Sequence, residues 1–203
     1  MVGHYDNVVH GKFLADLDEK DGCLLVRDRA GTLQGFSTFY VRQGAGHRIL
    51  FSGDTIVDAR SWGRIETLRT LGRLFGAQLA EPGDPLYWLL LSKGVRTYLL
   101  LPLLFRTFAP GGSPARDLSA LLRHLAVERY GAAYDPATSV YRSSADRLKS
   151  HWARVSDGRL ADPHVREFLA RNPGHVRGDE LVSLAPIAYD NLTPAGRRLV
   201  EGR

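Results

Sequence analysis

The chain predicts an α/β fold of the α+β type: a mixed, mostly antiparallel central sheet flanked by helices, with a helical insertion towards the C-terminus. Three observations carry this. Three apolar or β-branched runs follow one another before residue 58, separated by glycine-containing turns, which is the pattern of a meander. Residues 47–76 then pass from strand into helix through a glycine loop. A continuous apolar run, Leu86 to Leu91, follows that helix and reads as a strand buried on both faces.

Residues 7–20 carry Val8, Val9, Phe13, Leu14 and Leu17, a short amphipathic helix that closes at Gly22. Residues 23–28, CLLVRD, make a strand, and Gly31 supplies the hairpin turn. Residues 33–42 return, a second turn spans Gln43 to Gly46, and residues 47–57 form the central strand, where Gly53 marks a bulge or a close approach. The periodicity of Ile65, Leu68, Leu71, Leu74 and Phe75 predicts a helix over 62–79, which the Pro-Gly loop at 82–85 stops. Residues 95–108 read as a helix kinked at Pro102. After the breaker at 110–114 the periodicity predicts helices over 116–130, 139–155 and 163–171, and 179–189 reads as a last strand. Residues 190–203 are polar and are expected to fray. The expected organisation is one domain over 1–203.

Hydrophobic content of 44% and charged content of 24% are those of a globular protein. The net charge is +5 and the pI about 9.6, and all 27 basic residues except Lys12, Lys20, Lys93 and Lys149 are arginines. Arginine suits bidentate recognition of phosphate or carboxylate, so the balance fits a nucleotide-containing cofactor, an acidic carrier protein or nucleic acid. Nucleic acid is not the expected partner, because the aromatics are not interleaved with basic residues. The single cysteine, Cys23, excludes an internal disulfide and reads as a buried small hydrophobe. His47 and the distal histidines, His124, His151, His164 and His175, show no metal-ligand spacing and are expected at the surface. No signal peptide is visible, and the segment 86–105 is too interrupted for a membrane span. A cytoplasmic location is expected.

The loop between the central strand and its helix, Asp58-Ala59-Arg60-Ser61-Trp62-Gly63-Arg64, carries the chemistry. A helix N-terminus presents free backbone N–H groups and is a ready anion site. Arg60 and Arg64 flank the loop, and Gly63 allows close approach to the main chain. The other reading is an ordinary strand–turn–helix connection with its arginines in solvent.

This loop and the order of elements resemble the GNAT superfamily of acyltransferases, and the resemblance implies a core at about 7–108 plus the strand 179–189, with an insertion at about 110–178. Arg60-Ser61-Trp62-Gly63-Arg64-Ile65 matches the first and fourth positions of the family's Arg/Gln-x-x-Gly-x-Gly/Ala pattern, with Ile65 where the family prefers Gly or Ala. A second alignment puts Trp62-Gly63 on the Arg/Gln-Gly step. The resemblance implies transfer of an acyl group from a pantetheine thioester, acetyl-CoA or another acyl-CoA or an acyl carrier protein, to an amine or hydroxyl of a small acceptor. It implies pyrophosphate on the amides of 60–65, and pantetheine in the splay between the strands 47–57 and 86–91, hydrogen-bonded to main chain near Ile56 and Val57; Trp62 is a candidate to stack on adenine, or plugs the helix start. Direct attack needs a base, an oxyanion donor and a proton for the leaving thiolate, and no metal. Asp54, beside Gly53, is the candidate base, or a carboxylate that caps the bulge. Tyr98 is the candidate acid by the resemblance, or a core aromatic. Lys93 is a candidate contact for donor phosphates. A homodimer is compatible with the family. The rival reading is a non-catalytic module that binds CoA or a partner protein.

Overall fold

The computed structural model describes every residue except 1, 2, 59, 60, 62–64, 112, 113, 115, 143–146 and 203, together with the backbone but not the side chain of Ile65. Its centre is a sheet of seven strands in the order β2-β3-β4-β5-β9-β7-β6. These are β2 (Gly22–Arg27), β3 (Leu33–Gly44), β4 (His47–Val57), β5 (Leu86–Ser92), β6 (Tyr134–Asp135), β7 (Val140–Tyr141) and β9 (Glu180–Pro186). Among the described residues only the β4–β5 pair is parallel. A separate two-stranded ladder joins β1 (Tyr5–Asp6) to β8 (Arg147–Leu148).

Alternation along the central strands builds two cores. Leu50 of β4 with Trp88 and Leu90 of β5 face one side. There they meet α2 (Ile65–Ala80), α3 (Val95–Tyr98), α4 (Leu100–Leu104), α7 (Pro163–Arg171) and α8 (Pro194–Val200). Ile49, Phe51 and Leu89 face the other side and pack on α5 (Arg116–Tyr130) through Leu118, Leu122 and Leu125. Two short helical stretches, α1 (His10–Asp18) and α6 (Ser150–Ala153), lie at the periphery.

The meander, the central strand, the helix after it and the buried strand stand where the sequence places them. Other segments differ, each for a physical reason. Residues 139–155 are not one helix: Val140 and Tyr141 pair with Leu181 and Glu180 on the outer edge of β9, so partner strands override the helical periodicity. The stretch 110–178 is therefore only partly helical, since β6 and β7 extend the sheet. The helix after β5 breaks at Leu99, before Pro102, which falls inside the first turn of α4 where its missing N–H costs nothing. Residues 194–200 do not fray: Thr193 Oγ1 accepts the Gly196 N–H at 3.0 Å and Pro194 opens α8, a well-capped start. Cys23 is exposed, because β2 is an edge strand whose outward positions alternate with the inward Leu24 and Val26. His175 is buried, its Nδ1 3.0 Å from the Asn172 carbonyl.

Candidate active site

The two parallel strands pair only from Arg48 to Ser52 of β4, against Leu86 to Leu90 of β5. Beyond that point β4 runs on to Val57 with β3 on one edge and, among the described residues, no strand on the other. The departure coincides with a bulge. Phe39 faces Ser52, then Ser37 faces Thr55, so Gly53 and Asp54 together oppose Thr38. A bulge adds local twist and swings the strand away from its neighbour. Glycine is required there: a Cβ on Gly53 would stand 2.6 Å from Thr38 Oγ1 and 3.0 Å from Lys20 Cε.

The open edge of β4 has a definite polarity. The Asp58 N–H donates to the Gln34 carbonyl at 2.7 Å, and Gly35 stands opposite Val57. In an antiparallel pair this turns the N–H and C=O of Val57 away from β3 and into the gap. Those of Thr55 share that direction by alternation, whereas those of Ile56 face β3. His4 reaches this edge, its ring Nε2–H donating to the Val57 carbonyl at 3.0 Å.

A cavity opens on each face of the gap. The first, of about 540 Å³, lies under α1 and the β1 segment and is walled by Phe13, Phe51, Asp54, Lys93, Trp152 and Glu180 among others. The second, of about 510 Å³, lies between the sheet and α2, α3 and α4 and is mostly apolar, with Val57, Leu68, Leu71, Trp88, Leu99 and Leu100 in its wall. Ser52, Thr55, Leu90, Arg96 and Thr97 line both. The sheet is thus open between two cavities at the point where its central strands separate.

Charges of both signs border the first cavity. Lys93 Nζ is 3.6 Å from Glu180 Oε1 and 5.3 Å from the Tyr5 ring centre. The Arg96 guanidinium lies 5.0 Å over the Trp152 ring, which stacks on His4 at 4.8 Å. Lys20, almost wholly buried, holds Asp16 at 2.6 Å at the cavity wall.

Of the residues singled out in the sequence, Asp54 and Lys93 meet in the first cavity and Val57 lines the second. Ile56 is buried and lines neither. Ser61 is buried, and its hydroxyl donates to Gln34 Oε1 at 2.9 Å. Arg60, Trp62, Gly63 and Arg64 lie outside the described residues, as does the side chain of Ile65. Tyr98 is set apart. It is fully buried between Phe108 and Phe168, its hydroxyl has no partner among the described residues, and it lines neither cavity. Burial above all, then the charge of Glu167, pushes its phenol up to about 12.

Two features escape sequence reasoning. One is the pair Ser52–Trp88, where the indole Nε1–H donates to Ser52 Oγ at 2.9 Å inside the core. Its signal was a lone serine in an apolar strand and a tryptophan in LYWLLL, since a buried indole N–H seeks an acceptor. The other is the N-terminal segment over the first cavity, which no local pattern announces.

Among the described residues no group of three or more His, Cys, Asp and Glu could hold a metal ion, and no helix is long and apolar enough to cross a membrane. The fold and the site define a mixed α/β protein with a cleft reached from both faces of a gapped sheet. Set against protein-family models, curated proteins and solved structures, the chain finds no match.

Proposed function

We propose that this chain is an acyltransferase of the GNAT type, moving an acyl group from a pantetheine thioester to an amine or hydroxyl of a small acceptor by direct attack. The observation that carries the reading is the gap between parallel strands β4 and β5, with a cavity on either face and five residues common to both. The bulged central strand, its outward main-chain groups at Thr55 and Val57, and the helix α2 that follows all fit what the resemblance implies. In this reading the pantetheine arm of acyl-CoA or of an acyl carrier protein enters along the second cavity and adds to the free edge of β4. The acceptor waits in the first cavity, where Asp54 takes its proton. Tyr98 is not assigned a role, because no part of it reaches the gap.

The test is calorimetric titration with CoA and acetyl-CoA at low salt, repeated with Thr97→Trp. Thr97 lines both cavities, so a bulky side chain there fills the gap. Wild-type binding that vanishes in a folded Thr97→Trp protein supports the reading. Binding indifferent to that change moves the donor elsewhere and removes it.

The position of Tyr98 favours a second reading, a module that holds the donor without turning it over. Binding of acetyl-CoA with no release of thiol to any amine or hydroxyl acceptor supports that one.

A further inference from the structure

The buried hydroxyl at the apex of the gap is the feature the proposed chemistry has left unused. Ser52 and Leu90 are the last pair of the β4–β5 ladder, so Ser52 stands where the two strands part. It is 6% exposed, yet it lines both cavities. Its oxygen accepts the Trp88 Nε1–H at 2.9 Å. An indole N–H only donates, so this bond uses a lone pair of Ser52 and leaves the hydroxyl proton to be given to something else. No protein acceptor for that proton is found among the described residues. Trp88 is itself 1% exposed and is wedged between Phe75, at 5.1 Å, and Phe105, at 5.9 Å, so the serine oxygen is held by a rigid neighbour.

The geometry points to Ser52 as the side-chain donor to the thioester carbonyl oxygen, with Trp88 as the residue that positions it. This rests on the reading above and gives it an oxyanion contact. The acceptor nitrogen attacks the thioester carbon, and the C–N bond forms as the carbonyl π pair moves onto oxygen. Ser52 Oγ–H donates a hydrogen bond to that oxyanion. The C=O bond then re-forms, the C–S bond breaks, and the thiolate leaves with the bonding pair. The proton lost by nitrogen passes through Asp54 and solvent to sulphur. Ser52 keeps its own proton throughout, which suits a hydroxyl far too weak as an acid to give it up. A fixed donor in a water-poor site is where such a contact counts most. The bond from Trp88 polarises the serine O–H and makes it a better donor.

The experiment uses wild type, Ser52→Ala, Ser52→Thr and Trp88→Phe, with acetyl-CoA and an acetylated carrier protein as donors and hydroxylamine as nucleophile. Thiol release, donor affinity and the infrared carbonyl band of bound ¹³C-acetyl-CoA are measured together. The expected result is a loss of about 10²-fold in the rate for Ser52→Ala, with donor affinity held within a few-fold. The carbonyl band, lowered in wild type, returns towards its free position. Ser52→Thr keeps the band and most of the rate. Trp88→Phe keeps the hydroxyl but frees it, and gives an intermediate band and rate. If acetyl-CoA binds but Ser52→Ala changes neither band nor rate, Ser52 is a structural link to Trp88 only, while the donor reading stands. If neither donor binds to folded wild type, the donor reading falls and the role of Ser52 falls with it.

Discussion

Replacing Gly72 by alanine should destabilise this protein, against the ordinary preference of helices. Gly72 lies in the middle of α2, where alanine would normally gain about 1 kcal/mol. Here a Cβ would stand 2.5 Å from the Leu199 carbonyl oxygen and 2.6 Å from its carbon. An unstrained carbon–oxygen contact needs roughly 3.3 Å, so α8 would have to retreat by about 0.8 Å on that distance. The obstacle is backbone and cannot rotate aside. Leu199 and its neighbour Val200 would lose part of their packing on α2. Overpacking of this kind costs about 1–3 kcal/mol, which outweighs the helical gain and leaves a net loss of up to about 2 kcal/mol. Urea unfolding measures it, with two controls. Gly76→Ala meets Val200 O at 3.0 Å and should come out near neutral. Gly11→Ala in α1 meets nothing within 4 Å and should stabilise by up to about 1 kcal/mol. Because α2 also walls the second cavity through Leu68 and Leu71, Gly72→Ala should weaken donor binding as well. A Gly72→Ala protein more stable than wild type by the full helical gain of about 1 kcal/mol would show that α8 does not press on α2, and the docking of α8 would have to be abandoned.

Three further outcomes are expected. Tyr98→Phe removes a buried hydroxyl that has no partner, so stability at pH 7 is unchanged or higher and thiol release stays at the wild-type rate; a large drop in rate would return Tyr98 to the chemistry. The phenol's rise from 10 to about 12 means the folded state keeps a proton that the unfolded chain gives up. The stability linked to Tyr98 is intact below pH 10 and lost as pH climbs towards 12, by roughly 2–3 kcal/mol, and thermal melts of Tyr98→Phe should lack that loss. Gly53→Ala presses a Cβ onto Thr38 Oγ1 and should cost about 1–3 kcal/mol and slow transfer, and adding Thr38→Ala should recover part of the stability in the same urea experiment. The Asp21 carboxyl is held below its ordinary 3.8, first by the Arg42 guanidinium and then by the Val41 N–H, so its contribution is present above pH 4 and lost as pH falls through the lowered value. Its NMR titration should move up in Arg42→Ala.

Local patterns were informative wherever a segment's own side chains decide its structure. The strand 47–57 was legible to its ends because β-branched and apolar residues fill it and turns bracket it. Gly53 was legible as a bulge or a close approach, since glycine is otherwise disfavoured in such a strand, and the register shows the bulge. The helix α2 followed from its 3–4 spacing. What stayed hidden was decided by partners distant in sequence. Val140 and Tyr141 lie in a stretch whose spacing suggests a helix but are claimed by the edge of β9. The polar end of the chain looked free, yet two glycines of α2 make room for α8. Tyr98 sits in the segment expected to carry an acid, but a short helix fixes its direction, and that direction is into the core. Asp54 and Lys93 could be singled out by type and place, but that they share one cavity depends on the splay, and no local motif encodes a splay.

The gap itself argues for an occupant. A strand in the middle of a sheet has every reason to pair on both edges, since each backbone N–H and C=O withheld from a partner is costly when water is kept out. β4 gives up that pairing after Ser52, with β5 alongside and β9 already on the far edge of β5. Twist from the bulge explains how the strands part, but not what the bulge accomplishes. The N-terminal segment meets the Val57 carbonyl, which accepts from His4. A ligand whose own amides alternate donor and acceptor along an extended arm would satisfy the rest as an added strand does, and pantetheine has that character. A compact ligand without amides would fill the cavities and still leave the edge of β4 unanswered. In the proposed reading, the form of the gap suits an extended amide-bearing donor better than a compact one, on grounds separate from the loop that first suggested phosphate.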